Sequence, residues 1–387
     1  MRNDVDILMP GVVSGLGGAS QLMLDLAKCF ESRGRRAGIL VPDFDTARGF
    51  ADRCRREGIR SDTTPWLLPR QGRLAGFADA SRFVLRYRAP VVHYHLSDNV
   101  PAYMLLHAMD ALSPPRAFLT VHSPYEEPAA DAPIAQRWAG AAPRHFHKVI
   151  TVSERARRLQ LDYGLPESLV EHIPNGVDAR SVRAGDGARA RDILGVGPFV
   201  PIVTTVGRLS DQKRPLDAVA AFAAIAADWR DAQLVIVGTG PLESEIRKAA
   251  ETAGLAGRVH LVGHRDDVPD WLAATSIWLL PTESEGLSVA LLEALAAGCP
   301  VVSTWSPGND EVLRHADNAL LTAIGDVDGL ADSMRQILGD QRLRDRLARR
   351  GRATAAQYSL EQMCDRYLAC YDATGVRFDT VARRRHA

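Results

Sequence analysis

Residues 276–303 read SIWLLPTESEGLSVALLEALAAGCPVVS. The apolar runs Ser276–Leu280 and Pro300–Ser303 have the length of buried strands, and the stretch between them turns at Gly286 and then takes up helical spacing from near Leu287. Strand, helix and strand in that order form the repeating unit of a parallel sheet covered by helices, which points to the α/β class.

The same alternation runs outward from this segment. Strands are predicted at Val5–Met9, Ala37–Val41, Val91–His95, Ala117–His122 and Val149–Val152, and again at Pro201–Val206, Gln233–Val237 and Arg258–Val262. Helical patterns fall between them. In Ser20–Ser32, for example, Leu22, Leu26 and Phe30 recur at four-residue spacing, and Gly34 supplies a stop. From Gly176 to Gly197 the texture changes to a glycine- and arginine-rich stretch of turn residues, where a domain boundary is expected. Beyond Gly325 the pattern is helical, including Ser359–Tyr371. The expectation is two facing Rossmann-like, doubly wound domains, residues 1–180 and 195–358, with a C-terminal helix within 359–387 crossing back to the first. In such a fold the C-terminal ends of the strands carry the ligand loops, here lining one shared cleft.

Composition narrows the function. With 387 residues, 46% apolar and 24% charged, the chain has the profile of a globular protein of two or three domains, not of a disordered or membrane-embedded one. Its 47 basic residues cancel its 47 acidic ones, so no overall field attracts nucleic acid or anionic lipid, and an anionic ligand must be held locally. Cys29, Cys54, Cys299, Cys364 and Cys370 form no CxxC pair, which argues against a zinc site or a disulfide framework and for buried thiols in a reducing compartment. The opening MRNDVDILMPG has no basic start before an apolar run, so a cytoplasmic location is expected.

Three segments carry the chemistry. In PTESEGLSVALLE, a helix starting near Leu287 would offer the amides of Leu287, Ser288 and Val289 to a phosphate, with Glu285 at the mouth and Glu293 about two turns deeper. Glu285 also reads as an ordinary N-terminal charge and Glu293 as an exposed helical acid. In VGRLSDQKRP, Arg208 and Lys213 follow a strand on one loop and could clamp a diphosphate, or stand as solvated loop charges. In VGTGP, Gly238 and Gly240 would let a ligand approach the backbone.

Taken in order along the chain, these segments resemble the retaining family-4 glycosyltransferases of GT-B fold. ESEGLSVALLEALAAGCPVVS is similar to the family's paired-glutamate segment, VGRLSDQK to its Arg and Lys motif, and IPNGVD to the end of its first domain. GLGGAS is similar to its N-terminal glycine loop, and LTVHSP carries a histidine at its active-site position. The resemblance implies a nucleotide-diphosphate sugar as co-substrate, most simply UDP-linked, with no resident cofactor and no metal. It assigns Glu293 to ribose hydroxyls, Glu285 to the sugar, and Arg208 with Lys213, next to Gly207, to the diphosphate. Backbone near Val262 to Arg265 would read the base, Gly286, Leu287, Ser288 and Val289 would line the phosphate, and Gly17 and Gly18 would approach it from the first domain. His122 would sit beside the reacting carbon, and Asn175 is grouped with the acceptor. Two positions depart from the family. Pro307-Gly308-Asn309-Asp310-Glu311 lacks the first glycine of a Gly-Gly pair, and Ser288 replaces a frequent glycine.

The partners implied are the nucleotide sugar and a hydroxyl-bearing acceptor, without nucleic acid. Glu126 and Glu127, just after His122, suit a cationic or polyhydroxylated acceptor such as an aminocyclitol of secondary metabolism, and also suit a solvated acidic loop. Arg73–Arg88 has the make-up of a basic amphipathic helix that could dock on a membrane near lipid-linked or polysaccharide acceptors, although its apolar residues fit a core face better. A nucleotide-sugar 2-epimerase of the same fold and an inactive sugar-binding module are rivals. So is an NAD-dependent oxidoreductase, whose fingerprint would follow its strand more tightly than Gly15 follows Met9. Acidic triplets at Asp4–Asp6, Asp43–Asp45 and Asp326–Asp328 are taken as coincidental, and His93 and His95, on one strand face, as packed or cleft-lining residues.

Overall fold

The computed structural model describes residues 5–11, 17–64, 89–96, 116–122, 133–376 and 378. The chain divides into two compact units, Met1–Pro174 together with Leu360–Ala387, and Asn175–Ser359.

The sheet of the first unit contains β1 (Ile7–Pro10), β2 (Ala37–Pro42), β3 (Arg60–Thr64), β4 (Val91–Leu96), β5 (Arg116–Val121), β6 (Lys148–Thr151) and β7 (Val170–His172). Among the described residues its order is β3-β2-β1-β4-β5-β6-β7, with every neighbouring pair parallel. Helices α1 (Gly18–Ser32), α2 (Asp45–Arg56), α3 (Pro133–His145) and α4 (Glu154–Asp162) connect the strands. Central strands such as β2 are buried along their whole length, as a sheet covered on both faces requires. One face packs Leu8, Val92, Tyr94 and Leu119 against Trp138 and Phe146.

The second unit repeats the plan with β8 (Ile202–Val206), β9 (Gln233–Val237), β10 (Val259–Gly263), β11 (Ile277–Leu280), β12 (Val301–Thr304) and β13 (Leu320–Thr322). Their order is β10-β9-β8-β11-β12-β13, again parallel throughout. The helices are α5 (Ala179–Arg183), α6 (Gly187–Leu194), α7 (Pro215–Ile225), α8 (Glu243–Thr252), α9 (Val268–Ala274), α10 (Val289–Ala297), α11 (Val327–Gly339) and α12 (Gln341–Ala355). Val203, Leu234, Ile236, Ile277 and Leu279 bury one sheet face under Phe222, Ile246 and Met334. The alternate residues Ile202, Val235 and Val237 pack on Trp271.

The stretch expected to be a turn-rich boundary instead contains α5 and α6. Asp178 and Asp186 cap these helices by accepting backbone N–H bonds, and Gly195 ends α6 in the left-handed conformation. The final helix, α13 (Leu360–Asp372), belongs to the first unit. It is fastened to α1 by Arg33 Nε on Asp365 Oδ1 at 2.7 Å, and Tyr371 packs edge-on to Phe118 with ring centroids 4.7 Å apart.

The strands missing from the sequence reading are β3, β7 and β13, and each lies at a sheet edge. An edge strand has a neighbour on one side only and can be short or polar, as RSDTT in β3 is, so it lacks the apolar run that marks a central strand.

Candidate active site

In both sheets the strand order reverses, between β1 and β4 and between β8 and β11. At such a reversal the connections leave in opposite directions and open a crevice beyond the C-terminal ends of the two strands. In the second unit the loops at that crevice are Gly207–Lys213, after β8, and Pro281–Ser288, after β11. They are the two charged segments singled out from the sequence.

Side chains and backbone stitch these loops together. Lys213 Nζ donates to Glu285 Oε1 at 2.5 Å, with Glu285 buried and Lys213 partly open. Gln212 donates to the Ser284 carbonyl at 2.6 Å, and its own carbonyl accepts from the Glu283 amide at 2.9 Å. Arg214 bridges Asp217 and Glu283 at 2.6 and 2.7 Å. Arg208 is exposed on the same loop. The result is a buried carboxylate beside a lysine, with a second cation at the surface. Such an arrangement can take hydroxyl groups on the carboxylate and an anion on the cations.

Helix α10 begins at Val289, not near Leu287. Ser288 is its N-cap, and Ser288 Oγ accepts from the Leu291 amide at 3.3 Å. The amides of Val289 and Ala290 are left outside the helical ladder as donors for an anion. Glu293 therefore lies about one turn along the helix instead of two, at roughly 6 Å from its start by the helical rise, and is half-buried instead of exposed.

Gly238 and Gly240 serve the loop directly. A Cβ on Gly238, whose φ is +137°, would lie 1.9 Å from the Gly207 carbonyl oxygen, and one on Gly240 would lie 2.4 Å from that of Leu209. What approaches these glycines is thus the backbone of the Arg208 loop, which they hold against β9.

In the first unit, His122 follows β5, the strand beside β4. His122 Nε2 lies 2.9 Å from His95 Nδ1. Below them His93 bonds through Nδ1 to Tyr371 Oη at 2.6 Å and through Nε2 to Thr120 Oγ1 at 2.7 Å, and the His93 and His95 rings are 4.2 Å apart. Burial holds His93 down at about 3 and His122 at about 4, and pushes His95 well below its ordinary value. All three are neutral at pH 7. Because the unfolded chain takes up these protons near pH 6.5 while the folded chain does not, stability is greatest above about pH 6.5 and falls as the pH drops toward 4. Urea unfolding should show stability falling as the pH is lowered from about 6.5 toward 4, and a flat profile there would contradict the neutral histidine cluster.

Gly17 caps α1 without a side chain, no acidic residue lies in the first turn, and among the described residues nothing stands within 4 Å of a Cβ placed on Gly17. Val262 and Arg265 stand at the end of β10; the Arg265 side chain pairs with Asp267 at 2.5 Å and lies over Trp271. The buried Asn175 donates to the Leu287 carbonyl at 2.7 Å and so supports the β11–α10 loop within its own unit. Glu126, Glu127 and Arg73–Arg88 lie outside the described residues. Of the acidic triplets, Asp6 pairs with Arg36 at 3.0 Å, Asp43 with Arg48 at 2.7 Å, and Asp326 caps α11.

Two family models match the chain in tandem: Glycosyltransferase Family 4 over residues 16–181 and Glycosyl transferases group 1 over residues 190–354. The chain belongs to the family-4 glycosyltransferases.

Among its relatives, the lipopolysaccharide core biosynthesis glycosyltransferase LpsE of Rhizobium meliloti is 36% identical over 43% of this chain and 48% of its own length. The 2-deoxystreptamine glucosyltransferase of Streptomyces kanamyceticus is 29% identical over 53% of this chain and 54% of its own. The chain thus spans about half the length of these curated relatives. The solved structure of Anabaena Alr3699/HepE in complex with UDP-glucose superposes with a TM-score of 0.80 at 21% identity, covering 95% of this chain and all of that one. The shared fold is GT-B.

The structure accounts for both departures of this family-4 chain. At 307 the backbone carbonyl accepts from the Glu285 amide at 2.9 Å, a bond that proline makes as well as glycine. At 308 glycine is required: φ is +90°, and a Cβ would lie 2.1 Å from the Glu285 carbonyl oxygen. Ser288 supplies the cap of α10. Gln212 and Thr282, which lock the two loops, were not singled out from the sequence. Gln212 gave no signal there, because its role lies in hydrogen bonds to a segment about seventy residues away.

Proposed function

We propose that this chain is a retaining, metal-independent hexosyltransferase. It moves a glucose- or N-acetylglucosamine-type group from a UDP-sugar to a hydroxyl of a small soluble acceptor, an aminocyclitol being the best candidate. The observation that carries the reading is the Lys213–Glu285 pair at the β8–β11 reversal, with Arg208 on the same loop. Arg208 and Lys213 neutralise the leaving diphosphate, while Glu285 and Glu293 take sugar and ribose hydroxyls. The bond from the sugar's anomeric carbon to the phosphate oxygen breaks as the acceptor oxygen bonds to that carbon on the same face. The acceptor's proton passes to the departing nucleoside diphosphate, so no protein nucleophile is needed and the protein positions and stabilises charge. From the first unit, His122, Gly17 and Gly18 take the roles the family resemblance gives them.

Support for glucose and UDP comes from the UDP-glucose complex of the structural neighbour, and for an aminocyclitol acceptor from the 2-deoxystreptamine glucosyltransferase. The lipopolysaccharide relative favours a second reading, in which the acceptor is a lipid-linked or polysaccharide hydroxyl. Among the described residues no helix is long and apolar enough to cross a membrane.

The test is a panel of UDP-, GDP- and dTDP-sugars, with nucleoside diphosphate release followed with and without 2-deoxystreptamine or a lipopolysaccharide core acceptor. Release with a UDP-hexose that depends on the aminocyclitol is expected. Release only with the core acceptor would select the second reading, and epimerisation of the sugar without any acceptor would reject both.

A further inference from the structure

His95 is 1% exposed, and its Nε2 is buried without a hydrogen-bond partner among the described residues, whereas its Nδ1 lies 2.9 Å from His122 Nε2. Two neutral imidazoles joined through one bond allow two proton arrangements. If His122 Nε2–H donated to His95 Nδ1, the proton on His95 would sit on Nε2, leaving an N–H buried with nothing to receive it. Orphaned buried N–H groups are rare in folded proteins, rarer than unsatisfied acceptors. The other arrangement leaves only a lone pair at His95 Nε2. His95 Nδ1–H then donates to His122 Nε2, and His122 must carry its own proton on Nδ1, since the bond made by one ring nitrogen fixes the state of the other.

We propose that His95 is a positioning residue that holds His122 as its Nδ1–H tautomer, so that His122 meets a sugar oxygen as a hydrogen-bond donor and not as a base. The inference rests on the proposed transferase role of His122. With its Nε2 lone pair occupied by His95 and its Nδ1 protonated, His122 has no basic nitrogen to offer an acceptor hydroxyl. His95 in turn is held by the ring of His93, 4.2 Å away, and His93 is bonded to Tyr371 of α13 and Thr120 of β5. The tautomer is thereby set from within the first unit.

The direct test is nitrogen-15 NMR of the full chain labelled at histidine, with His122 assigned among the eleven histidines by comparison with His122→Ala. A protonated Nδ1 and a bare Nε2 on His122 are expected at pH 7, and the reverse pattern overturns the proposal. In His95→Leu the Nε2–H form should appear, and an unchanged His122 tautomer there also overturns it. If His95→Leu fails to fold, the wild-type spectrum decides alone. Kinetically, His95→Leu should lower kcat about tenfold with donor KM altered less than about twofold. His95→Asn, whose amide nitrogen overlays Nδ1, should restore kcat to within about threefold of wild type. Equal losses in the two variants would mean that His95 acts only by packing. Wild-type turnover in His122→Ala, alongside the expected tautomer, would refute the role of His122 while leaving its protonation as assigned.

Discussion

Replacing Lys213 with Ala is expected to lower turnover by about 10²-fold or more, because in the proposed reaction the charge it neutralises appears on the leaving diphosphate in the transition state. The substitution also removes the lysine from a buried carboxylate. Glu285 is 4% exposed, and removing a charged partner from a buried ion costs about 3–5 kcal/mol, toward the lower figure here because the Lys213 side chain keeps some contact with water. The two effects separate in the double variant Lys213→Ala/Glu285→Gln. Neutralising the buried acid should return most of the stability in urea unfolding, while turnover measured by nucleoside diphosphate release stays low. Recovery of turnover along with stability would show that Lys213 acts only as a structural counter-ion. Arg208→Ala is the complementary case: Arg208 is exposed, so a loss of about 10²-fold in turnover should come with little change in stability. Together with Glu285→Ala, which should show a similar rate loss, these variants locate the site, and wild-type rates in any two of the three would place it elsewhere.

Gly238→Ala carries the second large expectation. The added Cβ would sit 1.9 Å from the Gly207 carbonyl oxygen, which is backbone and cannot rotate away, at a φ of +137° that side chains rarely adopt. Strain and overpacking of this kind cost about 1–3 kcal/mol each, so a total near 3 kcal/mol is expected. The displaced loop carries Arg208 and Lys213, so affinity for UDP should fall about tenfold or more, measured by calorimetric titration. Gly197→Ala is the control, since nothing stands within 4 Å of a Cβ there. Equal effects at the two positions, or none at Gly238, would mean that the strand-end glycine does not hold the Arg208 loop.

The fold was largely legible because central parallel strands are buried on both faces and must be apolar along their length. Ala37–Val41, Gln233–Val237 and Ser276–Leu280 all stood out for this reason and differ from the observed strands by at most a residue or so at an end. The α5–α6 stretch was misjudged as turn-rich because its glycines and arginines masked two Asp-capped helices. The start of α10 lies about two residues beyond Leu287 because helical spacing after Gly286 does not reveal which residue caps the helix, and Ser288 is that cap.

By itself the sequence determined the succession of strands and helices, the charged and glycine-rich character of the loops after β8, β9 and β11, and the resemblance carried by their order. These are local properties, written in residue type and spacing. Only the tertiary structure decided which of those loops meet. Lys213 and Glu285 are 72 residues apart, and they touch because β11 skips β9 and β10 to lie beside β8. His95 and His122 are 27 residues apart and bond because β4 and β5 pair in a particular register. Adjacency of non-consecutive strands is set by how whole sheets bury their faces, and no local spacing encodes it.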